Sequence, residues 1–237
     1  METDSLPGVN KTIFAFGGGF NKVFLRYIAQ LTGKTNPKIC FVPTATGDNP
    51  NTILNWYALC EDEALRPYVL RTYISSYTTT VSFEETLLGM DAIIVGGGNT
   101  LNMMGIWKNQ GIDTVLKKAY EKGIVLAGGS AGSLCWFKEG STDSRPGKLT
   151  IVQCLGFLPF SHSPHYHGEP SRRPMYFDAI LKKEMMPGYA CDDMAGLVFV
   201  NGKPVRSVAQ NENSHNYFVH VADGKIREDL IPADIIK

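Results

Sequence analysis

Gly-Ile-Val-Leu-Ala-Gly-Gly-Ser-Ala-Gly-Ser-Leu-Cys-Trp-Phe, residues 123–137, is the stretch on which the reading of the chain turns. Residues 124–127 form an apolar run of the length of a buried strand, and residues 131–137 suit the start of a helix. Between them, Gly128-Gly129-Ser130-Ala131-Gly132 matches G-x-S-x-G. In a strand-to-helix turn that tight, the flanking positions have almost no room for side chains, and the central serine is lifted above the sheet edge. The N–H of Ala131 then sits at the helix N-terminus, where it can stabilise an oxyanion. The pattern predicts a nucleophile elbow carrying Ser130. A glycine-rich turn that holds a serine by chance fits the same five residues, so the surrounding chain has to decide.

Upstream, apolar runs at residues 12–16, 38–42, 68–73 and 91–95 alternate with segments of helical spacing at 21–31, 51–61, 101–108 and 112–122. Ser82 and Glu85 form a capping box that opens one more short helix. Near-continuous apolar strands separated by helices predict an α/β fold, a doubly wound and mostly parallel sheet with helices on both faces. Ligands in such sheets bind beyond the C-terminal strand ends, which places the loops 43–49, 96–100 and 128–132 together. The glycines at 17–19 do not complete G-x-G-x-x-G, so a dinucleotide site is not expected. Downstream, residues 138–147 read as a polar loop, 149–152 as a short strand and 157–174 as a long irregular segment. A helix is predicted over 175–186 and a turn over 188–193. Short antiparallel strands follow at 197–200, 205–208, 217–221 and 225–227, with hairpin turns at Asn201-Gly202 and Asp223-Gly224. This tail is expected to pack on the same sheet. Residues 1–237 read as a single hydrolase domain without repeats.

Composition narrows the function classes. The chain of 237 residues is 43% hydrophobic and 19% charged, which fits a globular chain with a sizeable core. Its 23 basic and 23 acidic residues cancel, so no broad field points to nucleic acid or an anionic membrane. Residues 1–11 lack the apolar core of a signal peptide, and no run of eighteen apolar residues could span a bilayer. Five scattered cysteines without C-x-x-C suit reduced thiols. A cytoplasmic location follows as the expectation, and the oligomeric state is left open, with a homodimer the alternative to a monomer.

A serine nucleophile needs a base, and three of the five histidines lie together in His162-Ser-Pro-His165-Tyr-His167. His165 follows Pro164, which fixes the local backbone, and is the preferred base. Three imidazoles at that spacing could instead hold a metal. The Pro-interrupted backbone and the ready nucleophile argue for no metal and no cofactor. The base needs a carboxylate to set its tautomer, and Asp143, with Glu139 as the alternative, lies between serine and histidine. Gly97 and Gly98 can offer a second oxyanion N–H beside Ala131, and Asn99 adjoins them as a substrate contact. Arg172 and Arg173 could clamp a substrate carboxylate. Asp192 and Asp193 could meet a substrate amine or simply cap a turn.

Taken together, Gly-Gly-Gly-Asn-Thr (96–100), Ala-Gly-Gly-Ser-Ala-Gly-Ser (127–133), Pro-His-Tyr (164–166) and Gly-Glu followed by arginine (168–173) resemble the peptidase E family. These are serine peptidases with aspartyl dipeptidase activity, related to cyanophycinase, on a class I glutamine-amidotransferase-like fold. The resemblance spans residues 12–222. It implies Ser130 as nucleophile, His165 as base, Gly97 or Gly98 with Ala131 as oxyanion hole, and Arg172 or Arg173 for the substrate's aspartate side chain. It implies short peptides with N-terminal aspartate as substrates. Two alternatives stay open: a cyanophycinase-like hydrolase of β-linked Asp-Arg substrates, and a non-catalytic relative. A glutamine amidotransferase would need cysteine at position 130.

Overall fold

The computed structural model describes residues 8–74 and 80–237. The apolar runs become the parallel strands β1 (Thr12–Phe16), β2 (Lys38–Val42), β3 (Arg66–Val69), β4 (Ala92–Val95) and β5 (Val125–Gly129), lying side by side as β1-β5-β4-β2-β3. Both faces of this sheet are covered. Ile13 and Ala15 of β1 enter one core while Phe14 and Phe16 enter the other, and β2 and β4 alternate in the same way. That double burial is why these strands read as continuous apolar runs. The helices α1 (Lys22–Leu31) and α2 (Pro50–Cys60) close one face with Phe24, Leu25, Ile28 and Trp56. On the other face α3 (Phe83–Leu88), α4 (Thr100–Gln110) and α5 (Ile112–Glu121) contribute Leu87, Met103, Trp107 and Leu116. The Ser82–Glu85 capping box opens α3 as the sequence predicts. β3 ends earlier than expected: Leu70 N still donates to Phe41 O, but the buried Asp48 carboxylate then captures the N–H groups of Thr72 and Tyr73.

The second half departs further from the sequence reading. Helix α6 is one turn, Ala131–Leu134, and the chain re-enters a strand at once. The strands β6 (Phe137–Thr142), β7 (Thr150–Gln153) and β8 (Leu158–Ser163) occupy segments read from sequence as polar loop, short strand and irregular stretch. After α7 (Arg172–Leu181) comes β9 (Gly188–Cys191), where a turn was expected. In β6 and β8 the cause is that the strands bury polar residues. Ser141 and Ser163 bond each other at 3.0 Å, and Thr142 bonds Ser144 at 2.8 Å. Satisfied hydroxyls can be buried at little cost, yet they leave no hydrophobic signal.

The tail strands are β10 (Ala195–Val200), β11 (Lys203–Ala209), β12 (Asn216–Ala222), β13 (Lys225–Ile231) and β14 (Asp234–Ile235). β10, β11 and β14 extend the main sheet past β1, with β10 antiparallel to both β1 and β11. β12 and β13 instead join a second, six-stranded sheet in the order β13-β12-β9-β8-β6-β7. The expected packing of the whole tail on one sheet is thereby corrected. Both hairpins use the predicted dipeptides, with positive φ at Asn201, Gly202, Asp223 and Gly224, the geometry of a type I′ turn.

Candidate active site

The site begins at the C-terminal end of β5. Ser130 leaves the strand with φ 56° and ψ −121°, a sparsely populated conformation that costs about 1–3 kcal/mol. The glycines around it answer to contact. A Cβ on Gly132 would meet Val95 O, and one on Gly128 would meet Gly132 O, with Val95 O at 2.9 Å. A Cβ on Gly129 would meet Gly18 O and the Phe16 ring. Gly97 lies on the other side, where a Cβ would stand 3.2 Å from Ser130 Cβ and 3.5 Å from its Oγ. Gly98, at φ 134°, packs on Ala45 instead. Ala131 is the first residue of α6, so its N–H has no acceptor within the helix.

His165 reaches this turn from the loop after β8. Its Nε2 lies 2.8 Å from Ser130 Oγ, and its Nδ1 lies 2.5 Å from Asp193 Oδ1. A carboxylate only accepts, so Nδ1 carries a proton and Nε2 is free to accept the serine proton. Asp193 sits in the turn between β9 and β10. Gly18 N donates to Asp193 O at 3.2 Å, and Gly17 N donates to Ala195 O at 3.1 Å. A Cβ on Gly168 would stand 2.7 Å from Asp193 Oδ2. The loop after β1 and the loop after His165 therefore pin Asp193 from two sides.

Neither carboxylate expected from the sequence touches His165. Asp143 is exposed and lies 3.6 Å from Arg172. Glu139 is buried in β6, accepting from Met186 N at 2.7 Å and from Gln153 Nε2 at 2.8 Å. Asn99 is taken up as well: its Oδ1 caps α4 at Asn102 N, and its Nδ2 donates to Ser144 O. Arg172 is buried, donating to Glu169 at 2.7 Å and to Ser141 O at 2.8 Å. Arg173 forms two hydrogen bonds to Glu228, at 2.9 and 2.8 Å. The three histidines of the 162–167 segment go separate ways. His162 bonds Ser133 and Tyr189 O, His165 bonds Ser130 and Asp193, and His167 bonds Asp192. Among the described residues no group of three His, Cys, Asp or Glu side chains is placed to hold a metal.

Burial sets the charges beneath the site. His162 is fully buried, and desolvation holds its pKa down to about 3, so it is neutral in the native protein. Burial, and then the Glu228 carboxylate it donates to, push the Tyr166 hydroxyl well above its usual range. Burial alone would raise Glu228, but hydrogen bonds from Arg173 and Tyr166 outweigh it and keep that carboxyl below the ordinary value.

The fold is of the α/β class with a mostly parallel main sheet, and comparison with known proteins gives the family. The model of peptidase family S51 matches residues 13–208. The "Uncharacterized peptidase YgaJ" of Bacillus subtilis (strain 168) is 40% identical over 228 residues, covering 94% of this chain and 97% of that protein. The crystal structure of a peptidase from an acI-B1 Actinobacterium superposes with a TM-score of 0.70 at 15% identity, covering 95% and 96% of the two chains. A "Putative Peptidase E Protein" from Listeria monocytogenes EGD-e superposes with a TM-score of 0.66 at 18% identity, covering 86% of this chain and all of that one. At such identities the two structures speak to the fold. The chain belongs to peptidase family S51, the peptidase E family, and is a serine-type peptidase. No described helix is long and apolar enough to cross a membrane.

Proposed function

We propose that this peptidase hydrolyses short peptides with an N-terminal aspartate, through Ser130 as nucleophile, His165 as general base and Asp193 as the orienting acid. The observation that carries the reading is the unbroken contact chain from Asp193 Oδ1 through His165 Nδ1 and Nε2 to Ser130 Oγ. His165 takes the Ser130 proton as Oγ attacks the scissile carbonyl, and Asp193 stabilises the resulting imidazolium. The N–H of Ala131, with that of Gly97 or Gly98, receives the oxyanion. The imidazolium then protonates the leaving amine, and water, deprotonated by His165, hydrolyses the acyl-enzyme.

Arg172 supports the aspartate preference. Its Nη2 faces Asp143 at 3.6 Å, beyond hydrogen-bond distance, so donors remain for a substrate carboxylate that displaces Asp143. Arg173 is held by Glu228 and is not used. One observation favours the β-linked Asp-Arg alternative: Asp143 and Glu169 both border Arg172 and could receive a substrate cation. Hydrolysis of an X-Leu dipeptide panel and of β-Asp-Arg, by the wild type and by Ser130→Ala, tests the reading. Cleavage confined to Asp-Leu and lost in the variant supports it. Cleavage of β-Asp-Arg alone moves the substrate, and equal rates on Asp-Leu and Ala-Leu overturn the aspartate preference.

A further inference from the structure

Below the turn lies a second serine–histidine pair that the proposed mechanism does not use. Ser133 Oγ is 2.8 Å from His162 Nε2 and 2.8 Å from the backbone carbonyl oxygen of Ser130. His162 Nδ1 is 3.0 Å from Tyr189 O, and its ring stacks on Phe137 at 4.4 Å with planes 7° apart. Ser133, His162 and Phe137 are all fully buried.

The tautomer follows from proton counting. Tyr189 O can only accept, so Nδ1 carries the imidazole proton and Nε2 is an acceptor. The single Ser133 hydroxyl proton then faces two acceptors, Nε2 and Ser130 O, and is shared between them. Ser130 O also accepts from the N–H groups of Ser133 and Leu134, each at 3.0 Å. The carbonyl is thereby gripped from three directions, and one of the three is held by a stacked, backbone-anchored imidazole.

The peptide unit is rigid and planar, so the Ser130 C=O and the Ala131 N–H turn as one body. Whatever fixes that carbonyl also aims the N–H at the oxyanion. Ser130 occupies a strained backbone conformation that relaxes unless the surroundings hold it. We propose that Ser133 and His162 are positioning residues that lock the Ser130–Ala131 peptide plane and so aim the oxyanion donor. The proposal rests on the reading of Ser130 as nucleophile and Ala131 as oxyanion donor.

The Ala131 N–H meets its charge only as the tetrahedral intermediate forms, so misaiming it lowers kcat and leaves KM alone. Removing an oxyanion donor outright costs on the order of a hundredfold or more. For Ser133→Ala, where the donor is kept but freed to swing, kcat should fall about tenfold to a hundredfold. KM and inhibition by the product amino acid should stay unchanged, while a peptide boronate, which forms a tetrahedral adduct, should bind more weakly by the same factor. Ser133→Thr, which keeps the hydroxyl, should restore most of kcat. A merely structural role would not produce this split between tetrahedral and product ligands. Should Ser133→Ala be too unstable to assay, the same comparison on Ser133→Cys decides, since a thiol fills nearly the same space but donates only weakly to the Ser130 carbonyl. A folded variant with kcat within about twofold of wild type overturns the proposal, as does a loss carried by KM alone. Ser130→Ala, run alongside, separates the two readings: if it retains activity, the nucleophile assignment itself has failed.

Discussion

Replacing Asp193 with asparagine tests the proposed orienting acid, which lies beyond the histidine along the chain. The carboxylate accepts from His165 Nδ1 at 2.5 Å, and with both charges spread over their groups the pair is treated as point charges about 4 Å apart. At an effective dielectric near 20, an imidazolium–carboxylate pair at that distance gains about 4 kcal/mol. The Asp193 side chain is 49% exposed and that of His165 21%, so water replaces part of this, and about 2–3 kcal/mol is a fair expectation. The asparagine amide adds a second penalty. If it presents N–H to Nδ1, the proton shifts to Nε2, which then cannot receive the Ser130 proton. Together these effects predict a loss of about 10²–10⁴ in kcat, below or equal to that seen where the corresponding acid is buried. Asp143→Asn and Glu139→Gln, measured alongside, should each keep kcat within about threefold. The assay is steady-state hydrolysis of an aspartyl p-nitroanilide, with thermal melting to show that all three variants are folded. A folded Asp193→Asn enzyme with near-normal kcat, or a thousandfold loss in Asp143→Asn instead, would refute the assignment.

Gly132→Ala places a Cβ against Val95 O and should destabilise the fold by about 3 kcal/mol or more, read as a fall in the urea midpoint. His162, held neutral by burial with a pKa near 3 against 6.5 for the free side chain, makes stability depend on acid. A depressed base contributes fully above pH 6.5 and loses its contribution as pH falls toward 3, about 2 kcal/mol of it by pH 5. Urea melts of wild type at pH 7.5 and 5 should show that slope, and His162→Asn should flatten it. Arg173→Ala breaks a half-exposed pair with Glu228 and should leave kcat/KM for Asp-Leu within about threefold. Arg172→Met should erase the preference for Asp-Leu over Ala-Leu; a preserved preference in a folded variant would remove Arg172 from substrate recognition.

Much of the fold was legible because apolar periodicity is a local signal. The strands of the parallel sheet, the Ser82–Glu85 cap and both Asx-Gly hairpins each announce themselves within a few residues. Strands β6 and β8 of the second sheet did not, because they bury Ser141, Thr142, Ser161, His162 and Ser163 behind side-chain hydrogen bonds. Such residues read as loop until their partners are known. The glycines around Ser130 and the proline before His165 single out two side chains that the fold brings to 2.8 Å of each other. Asp193 was visible only as one of two adjacent aspartates in a turn. The acids expected from the sequence lie between serine and histidine along the chain, whereas the carboxylate that meets His165 comes from beyond the histidine, between β9 and β10. The contact that fixes it, Gly18 N to Asp193 O, joins residues 175 positions apart, and no local pattern encodes it. Arg172 and Arg173 stand out by residue type beside Glu169, whereas the pairing of Arg173 with Glu228, 55 positions further on, is set by the fold.

The central claim is that Ser130 forms the acyl-enzyme with His165 as its base. The direct measurement is peptide mapping by mass spectrometry of enzyme quenched in acid during turnover of an aspartyl p-nitrophenyl ester. The account predicts an aspartyl adduct on the peptide that contains Ser130, absent from Ser130→Ala and strongly reduced in His165→Ala. An adduct on another residue, or turnover in Ser130→Ala at the wild-type rate, would contradict it.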